Sequence, residues 1–148
     1  MGVEYLQNLE KLRDIVANDP APKYFSYDRR NVESSNELTF DVYQTLAMET
    51  AVYPGKRGLL GLLYCGLGTA EEAGEVAGKI KKVVRDNNGV VDDVQRERIK
   101  KEMGDVLWYL AGVAKELGIN LGSVARENIL KLQGRRERGT IHGDGDDR

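Results

Sequence analysis

Two helix-length stretches, Leu59 to Arg85 and Asp92 to about Leu117, meet across Asn87, Asn88 and Gly89, and each carries acids three residues apart on the rim of an apolar stripe. The first holds Glu71, Glu72 and Glu75 beside Ala73, Val76, Ala77 and Ile80. The second holds Glu102 and Asp105 beside Val106, Leu107, Leu110 and Val113. Residues three apart share a helix face, so Glu72 with Glu75 makes one pincer and Glu102 with Asp105 another. About eleven residues separate Glu75 from the turn and about nine separate the turn from Glu102, so an antiparallel hairpin sets the pincers level. The expected fold class is therefore all-α, an antiparallel helical bundle.

The rest of the chain reads the same way. Val3, Leu6, Leu9, Leu12, Ile15 and Val16 follow helical spacing until Asn18, Asp19 and Pro20 stop it. Ala21 to Asn36 has no period and reads as an irregular linker. Thr39 is expected to cap a helix ending near Thr50, Asp92 with Gln95 forms a capping-box pattern, and Asn120 is expected to cap a last helix carrying Leu121, Val124, Ala125, Ile129 and Leu132. These signals divide the chain into an N-terminal helix plus linker over 1–37, a helical domain over 38–138 and a Gly/Asp-rich tail over 139–148.

A chain of 148 residues suffices for one domain, or for a helical subunit that completes its core against a copy of itself. Gly74, Gly78, Gly104 and Gly112 lie inside expected helices, where each costs about 0.5 to 1 kcal/mol relative to alanine. Close approach around a metal or at a subunit interface would compensate, which suggests at least a dimer. The formal charge of −2 offers no field to hold a nucleic-acid polymer. A single cysteine, Cys65, excludes an intramolecular disulfide and fits a reducing compartment. The start lacks a secretory pattern and Leu59 to Leu67 is too short to span a bilayer, so a cytoplasmic location without membrane attachment is expected.

Four carboxylates about 5 Å apart repel by roughly 3 kcal/mol per pair at an effective dielectric near 20, and they require protonation or a cation. An all-oxygen donor set selects Mg²⁺, with Mn²⁺ a substitute. The competing reading is a solvated helix face, the common fate of helical Glu, but one solvated face gives no reason for two matched pincers. A di-iron bundle would need ExxH motifs, which neither acidic helix supplies.

The stretch GLGTAEEAGEVAGKIKKVVRD followed by KEMGDVLWYLAGVAKELGINL resembles the MazG-like nucleotide pyrophosphohydrolases, whose signature is EExxE, a spacer, then ExxD. The likeness extends over about Leu38 to Arg148. It implies a Mg²⁺-dependent enzyme that hydrolyses a nucleoside triphosphate between its α and β phosphates, built as a helical dimer or tetramer. By this resemblance Glu72, Glu75, Glu102 and Asp105 are metal ligands, and Glu71 either orients the attacking water or serves a second ion, which makes Glu71, Glu72 and Glu75 the catalytic candidates. It further implies substrate contacts from Gln44 and from the stripe Asn128, Lys131 and Arg135. The stripe's cations would equally suit a helix C-terminus for electrostatic reasons alone. Lys79 can pair with Glu75 one turn away or reach a phosphate, Trp108 and Tyr109 are expected to pack rather than stack on a base, and His142 is expected in a surface tail. A nucleotide-binding sensor without turnover and a non-enzymatic, partner-binding helical oligomer are the alternatives.

Overall fold

The computed structural model describes residues 38–145, so the expected N-terminal helix and linker lie outside the described residues. Four helices make up the described chain: α1, Phe40–Glu49; α2, Leu59–Asp86; α3, Asp93–Glu116; and α4, Leu121–Glu137. The starts of α1, α3 and α4 are fixed by local chemistry. Thr39 accepts from the Val42 N–H at 3.2 Å, and Asp92 and Gln95 close a reciprocal capping box. These bonds satisfy donors that a first helical turn leaves without partners.

α2 ends in tight turn chemistry. Gly89 has φ +77°, and its N–H reaches back to the Val83 carbonyl at 3.1 Å. The chain then reverses, and α3 packs antiparallel along α2 as the central contact of the fold. The α2 residues in this seam are Gly61, Cys65, Gly68, Glu72, Val76, Lys79 and Val83, a three-and-four spacing. Gly112 of α3 allows a close approach: a Cβ there would lie 2.7 Å from Cys65 Sγ.

This seam differs from the one the apolar stripes predicted. Val76 and Val106 take part, but Ile80, Leu107 and Leu110 are 48%, 38% and 39% exposed. The reason is that α2 is apolar on two faces. One, small and rich in glycine, receives α3; the other, through Leu59, Leu63, Leu67, Ala70, Ala77, Ile80 and Val84, points outward. Gly74, Gly78 and Gly104 likewise have open space where a side chain would stand, so of the four helical glycines only Gly112 is explained by close approach within the chain.

α1 lies across α3. One buried cluster joins Ala51, Tyr53 and Cys65 with Met48, Trp108, Tyr109 and Val113; a second joins Ala111, Ala114 and Leu121 with Tyr43 and Ala47. The Trp108 indole donates to the Ala47 carbonyl at 3.1 Å and the Thr50 hydroxyl at 2.9 Å. Glu116 ties the loop between α1 and α2, accepting from the Tyr53 hydroxyl and the Arg57 N–H, each at 2.7 Å, and from the Gly58 N–H at 3.3 Å. α2 has no capping side chain of its own, and Glu116 holds its entry instead. No helix among the described residues is long and apolar enough to cross a membrane.

Candidate metal centre

Glu72 lies in the α2 face that meets α3, and Glu102 and Asp105 lie on the opposing helix three residues apart. Each offers a carboxylate oxygen, and these oxygens all fall within 4.8 Å of one another. Glu72 and Glu102 are partly buried, whereas Asp105 is exposed at the rim. Removal from water pushes the Glu72 carboxyl above its ordinary range, and the charges of Asp105, Glu102, Glu71 and Glu75 add to that push. A folded state that concentrates anions in this way favours a neutralising cation. Three oxygens converging from two facing helices, with neither sulfur nor imidazole among them, form a donor set suited to a hard divalent cation such as Mg²⁺.

Glu71 and Glu75 flank the cluster on the exposed side of α2. Glu75 does not join the converging oxygens; its Oε2 lies 3.3 Å from the Lys79 ammonium. Lys79 also crosses to α3, reaching Glu102 Oε1 at 3.0 Å. The two carboxylates keep Lys79 protonated beyond its usual range. The helical pair with Glu75 was legible from the one-turn spacing; the bond to Glu102 was not.

Two tyrosines border the acids. Tyr109 stands one turn after Asp105; burial and a hydrogen bond with Tyr64 push its hydroxyl up to about 12, and Glu72 and Glu71 contribute. Tyr43 of α1 is raised first by burial and then by the Asp105 charge, which brings α1 near the site. The spacing of Tyr109 from Asp105 was a signal available in the sequence, but its apolar neighbours concealed it. Tyr43 carried no such signal.

The remaining candidates lie elsewhere. Gln44 is buried, donates from Nε2 to the Ile119 carbonyl at 3.0 Å and accepts the Leu121 N–H at 2.8 Å. Each end of its amide is bonded to the backbone around the start of α4. Glu116, the last residue of α3 before the loop into α4, follows Asp105 by eleven residues, roughly 17 Å along the helix. The cavity at that end, about 540 Å³, is lined by Gln44, Met48, Arg57, Lys115 and Ile119 among others, and none of the five acids reaches it. On α4, Asn128 and Lys131 are exposed, while Arg135 is buried and donates to the Gly145 carbonyl at 3.2 Å. That bond ties the described part of the tail to α4, and residues 141–145, His142 among them, are exposed as expected of a surface tail. α4 packs against α1 and α3.

The comparisons with known proteins agree with this geometry. The family model of the MazG nucleotide pyrophosphohydrolase domain matches residues 64–140, a span that contains all five acids. The "Gene 37 protein" of Mycobacterium phage L5 is 44% identical over 111 residues, covering 73% of this chain and 97% of that relative. No solved structure matches. With its acids paired across an antiparallel helical hairpin and the family match running through both arms, the chain belongs to the MazG nucleotide pyrophosphohydrolase family.

Proposed function

We propose that the protein hydrolyses nucleoside triphosphates, ribo or deoxy, between the α and β phosphates, releasing a monophosphate and pyrophosphate. The observation that carries this reading is the convergence of Glu72, Glu102 and Asp105 from two facing helices in a member of a nucleotide pyrophosphohydrolase family. Glu72, Glu75, Glu102 and Asp105 would hold Mg²⁺, with Mn²⁺ able to replace it; Glu75 would have to leave its pair with Lys79 to join the others. The bound cation supplies charge neutralisation for the phosphates and a lower pKa for a coordinated water.

The protein's own groups do the rest. Glu71, exposed next to the cluster, accepts the proton from the attacking water, and its side chain is the nearest carboxylate outside the proposed ligand set along the helix. Asn128 and Lys131, exposed on α4, would supply a donor and a point charge for the substrate, and the buried Arg135, in the same i, i+3, i+7 series, would offer its planar fork by exchanging the Gly145 carbonyl for a phosphate oxygen. A second copy of the chain is the proposed occupant of the outward apolar face of α2. Leu59, Leu63 and Leu67 are 71%, 51% and 71% exposed there, and Gly74 and Gly78 of the same helix leave room for a close approach.

The test is product analysis. Purified protein is incubated with canonical and modified NTPs and dNTPs, with Mg²⁺ or with EDTA, and the products are separated by ion exchange. Monophosphate with pyrophosphate, lost in EDTA and in Glu72→Gln, is the expected result. Diphosphate with phosphate would assign a different phosphohydrolase, and nucleotide binding without turnover would make the protein a sensor.

A further inference from the structure

Lys79 occupies a position that a divalent cation would contest. Its ammonium lies between Glu75 of α2 and Glu102 of α3, 3.3 and 3.0 Å from their oxygens, and its side chain is only 26% exposed. Glu102 is also one of the three acids whose oxygens converge, and Glu75 stands outside that group with an oxygen turned to Lys79. If Glu75 and Glu102 are to share a divalent cation with Glu72 and Asp105, the ammonium must leave, because two cations on one pair of carboxylates repel strongly at such separations. Lysine suits the exchange: it is a compact charge on a flexible four-carbon stem, with no planar fork to fix it in place.

The destination of the displaced charge follows from the reaction. A triphosphate bound at the acidic cluster would bring negative oxygens toward Lys79, which stands one turn beyond Glu75. We propose that Lys79 is an exchangeable counterion of the acidic cluster, neutralising Glu75 and Glu102 in the metal-free protein and moving to the substrate's phosphate oxygens when a divalent cation takes its place. This rests on the nucleoside triphosphate reading given above. It adds a competition that a lysine in a plain helical ion pair would not show.

Calorimetry on the full chain separates the cases. Mn²⁺ alone is titrated into the parent, Lys79→Met and Lys79→Arg; an α,β-methylene nucleoside triphosphate is then titrated with Mg²⁺ present. Removing the competing charge in Lys79→Met should tighten Mn²⁺ binding about fivefold or more and weaken the analogue about tenfold. Lys79→Arg, which keeps the charge, should return Mn²⁺ affinity toward the parent value. Lys79→Gln serves as a second neutral variant, and circular dichroism melts establish that each protein is folded. Mn²⁺ binding by Lys79→Met that is equal to or weaker than the parent's overturns the exchange, as does unchanged analogue affinity. Failure of the parent itself to bind Mn²⁺ would overturn both this inference and the proposed function, whereas a parent that binds and a variant that does not differ would remove the inference alone.

Discussion

Gly68 of α2 and Tyr109 of α3 meet so closely that a Cβ on Gly68 would stand 2.2 Å from the Tyr109 ring. The ring has little freedom to retreat: Trp108 meets it edge-on at 5.0 Å between centroids, and Tyr64 lies 6.2 Å away. Gly68→Ala would gain about 1 kcal/mol of helix propensity but would force an overpacked contact costing about 1 to 3 kcal/mol. A net loss of stability is expected, read as a lower midpoint in urea with an unchanged slope. A midpoint at or above the parent's would show that the two helices separate more easily than the packing implies.

Shortening a proposed ligand tests the site's reach. Glu75→Asp keeps the charge but withdraws the carboxylate by one methylene, and Mg²⁺ demands octahedral oxygen geometry at about 2.0 to 2.1 Å. Nucleotide hydrolysis should fall at least tenfold, close to the loss in Glu75→Gln. Hydrolysis at the parent rate would remove Glu75 from the ligand set.

Alkaline pH should unfold the protein through its aromatic cluster. The Tyr109 hydroxyl is pushed up to about 12 from an ordinary 10.0, first by burial and then by its bond with Tyr64. Because the folded value lies above the unfolded one, the stabilisation is complete below pH 10.0 and is lost as pH rises toward 12. Tyr53 is shifted in the same direction by burial and by its bond to Glu116. Thermal midpoints measured across this window should fall steadily, and Tyr109→Phe should reduce the slope. An equal slope in that variant would assign the pH dependence to other groups.

The outward face of α2 gives a prediction about association. Leu67→Glu places a charge in the middle of that face, where the leucine is 71% exposed in the single chain. Light scattering after size exclusion should give a dimer or larger species for the parent and a smaller one for the variant, with circular dichroism unchanged. A monomeric parent would refute the proposed second copy.

The helix boundaries were written locally, which is why they could be read from the sequence. Asp92 and Gln95 cap each other within one turn, Asn120 accepts from Ser123, and Asn87 to Gly89 reverses the chain, all through neighbours in sequence. The meeting of Glu72 with Glu102 and Asp105 was legible for the same reason, since a hairpin with nearly equal arms leaves one register; Glu75, expected in the same group, pairs with Lys79 instead. Contacts between distant segments were not legible. Gln44 reaching Leu121, Glu116 gathering the loop before α2 and Lys79 crossing to Glu102 each depend on how helices pack, which no spacing within one helix reveals. The choice between the two apolar faces of α2 failed at this level, since periodicity marks a face as apolar without naming what covers it.

The hairpin of α2 and α3 has a consequence for how the chain reaches its fold. Glu72 and Asp105 lie on consecutive helices, so bringing them together closes a loop of modest length, whose entropic cost grows only slowly with size. Contacts between near neighbours in sequence also form early in folding chains. The carboxylates gather when the hairpin closes, and their repulsion acts against that step. Lys79 belongs to the same hairpin and arrives at the same moment, bridging Glu75 and Glu102. The charge that allows two acidic helices to come together is thus encoded one turn from the acids themselves.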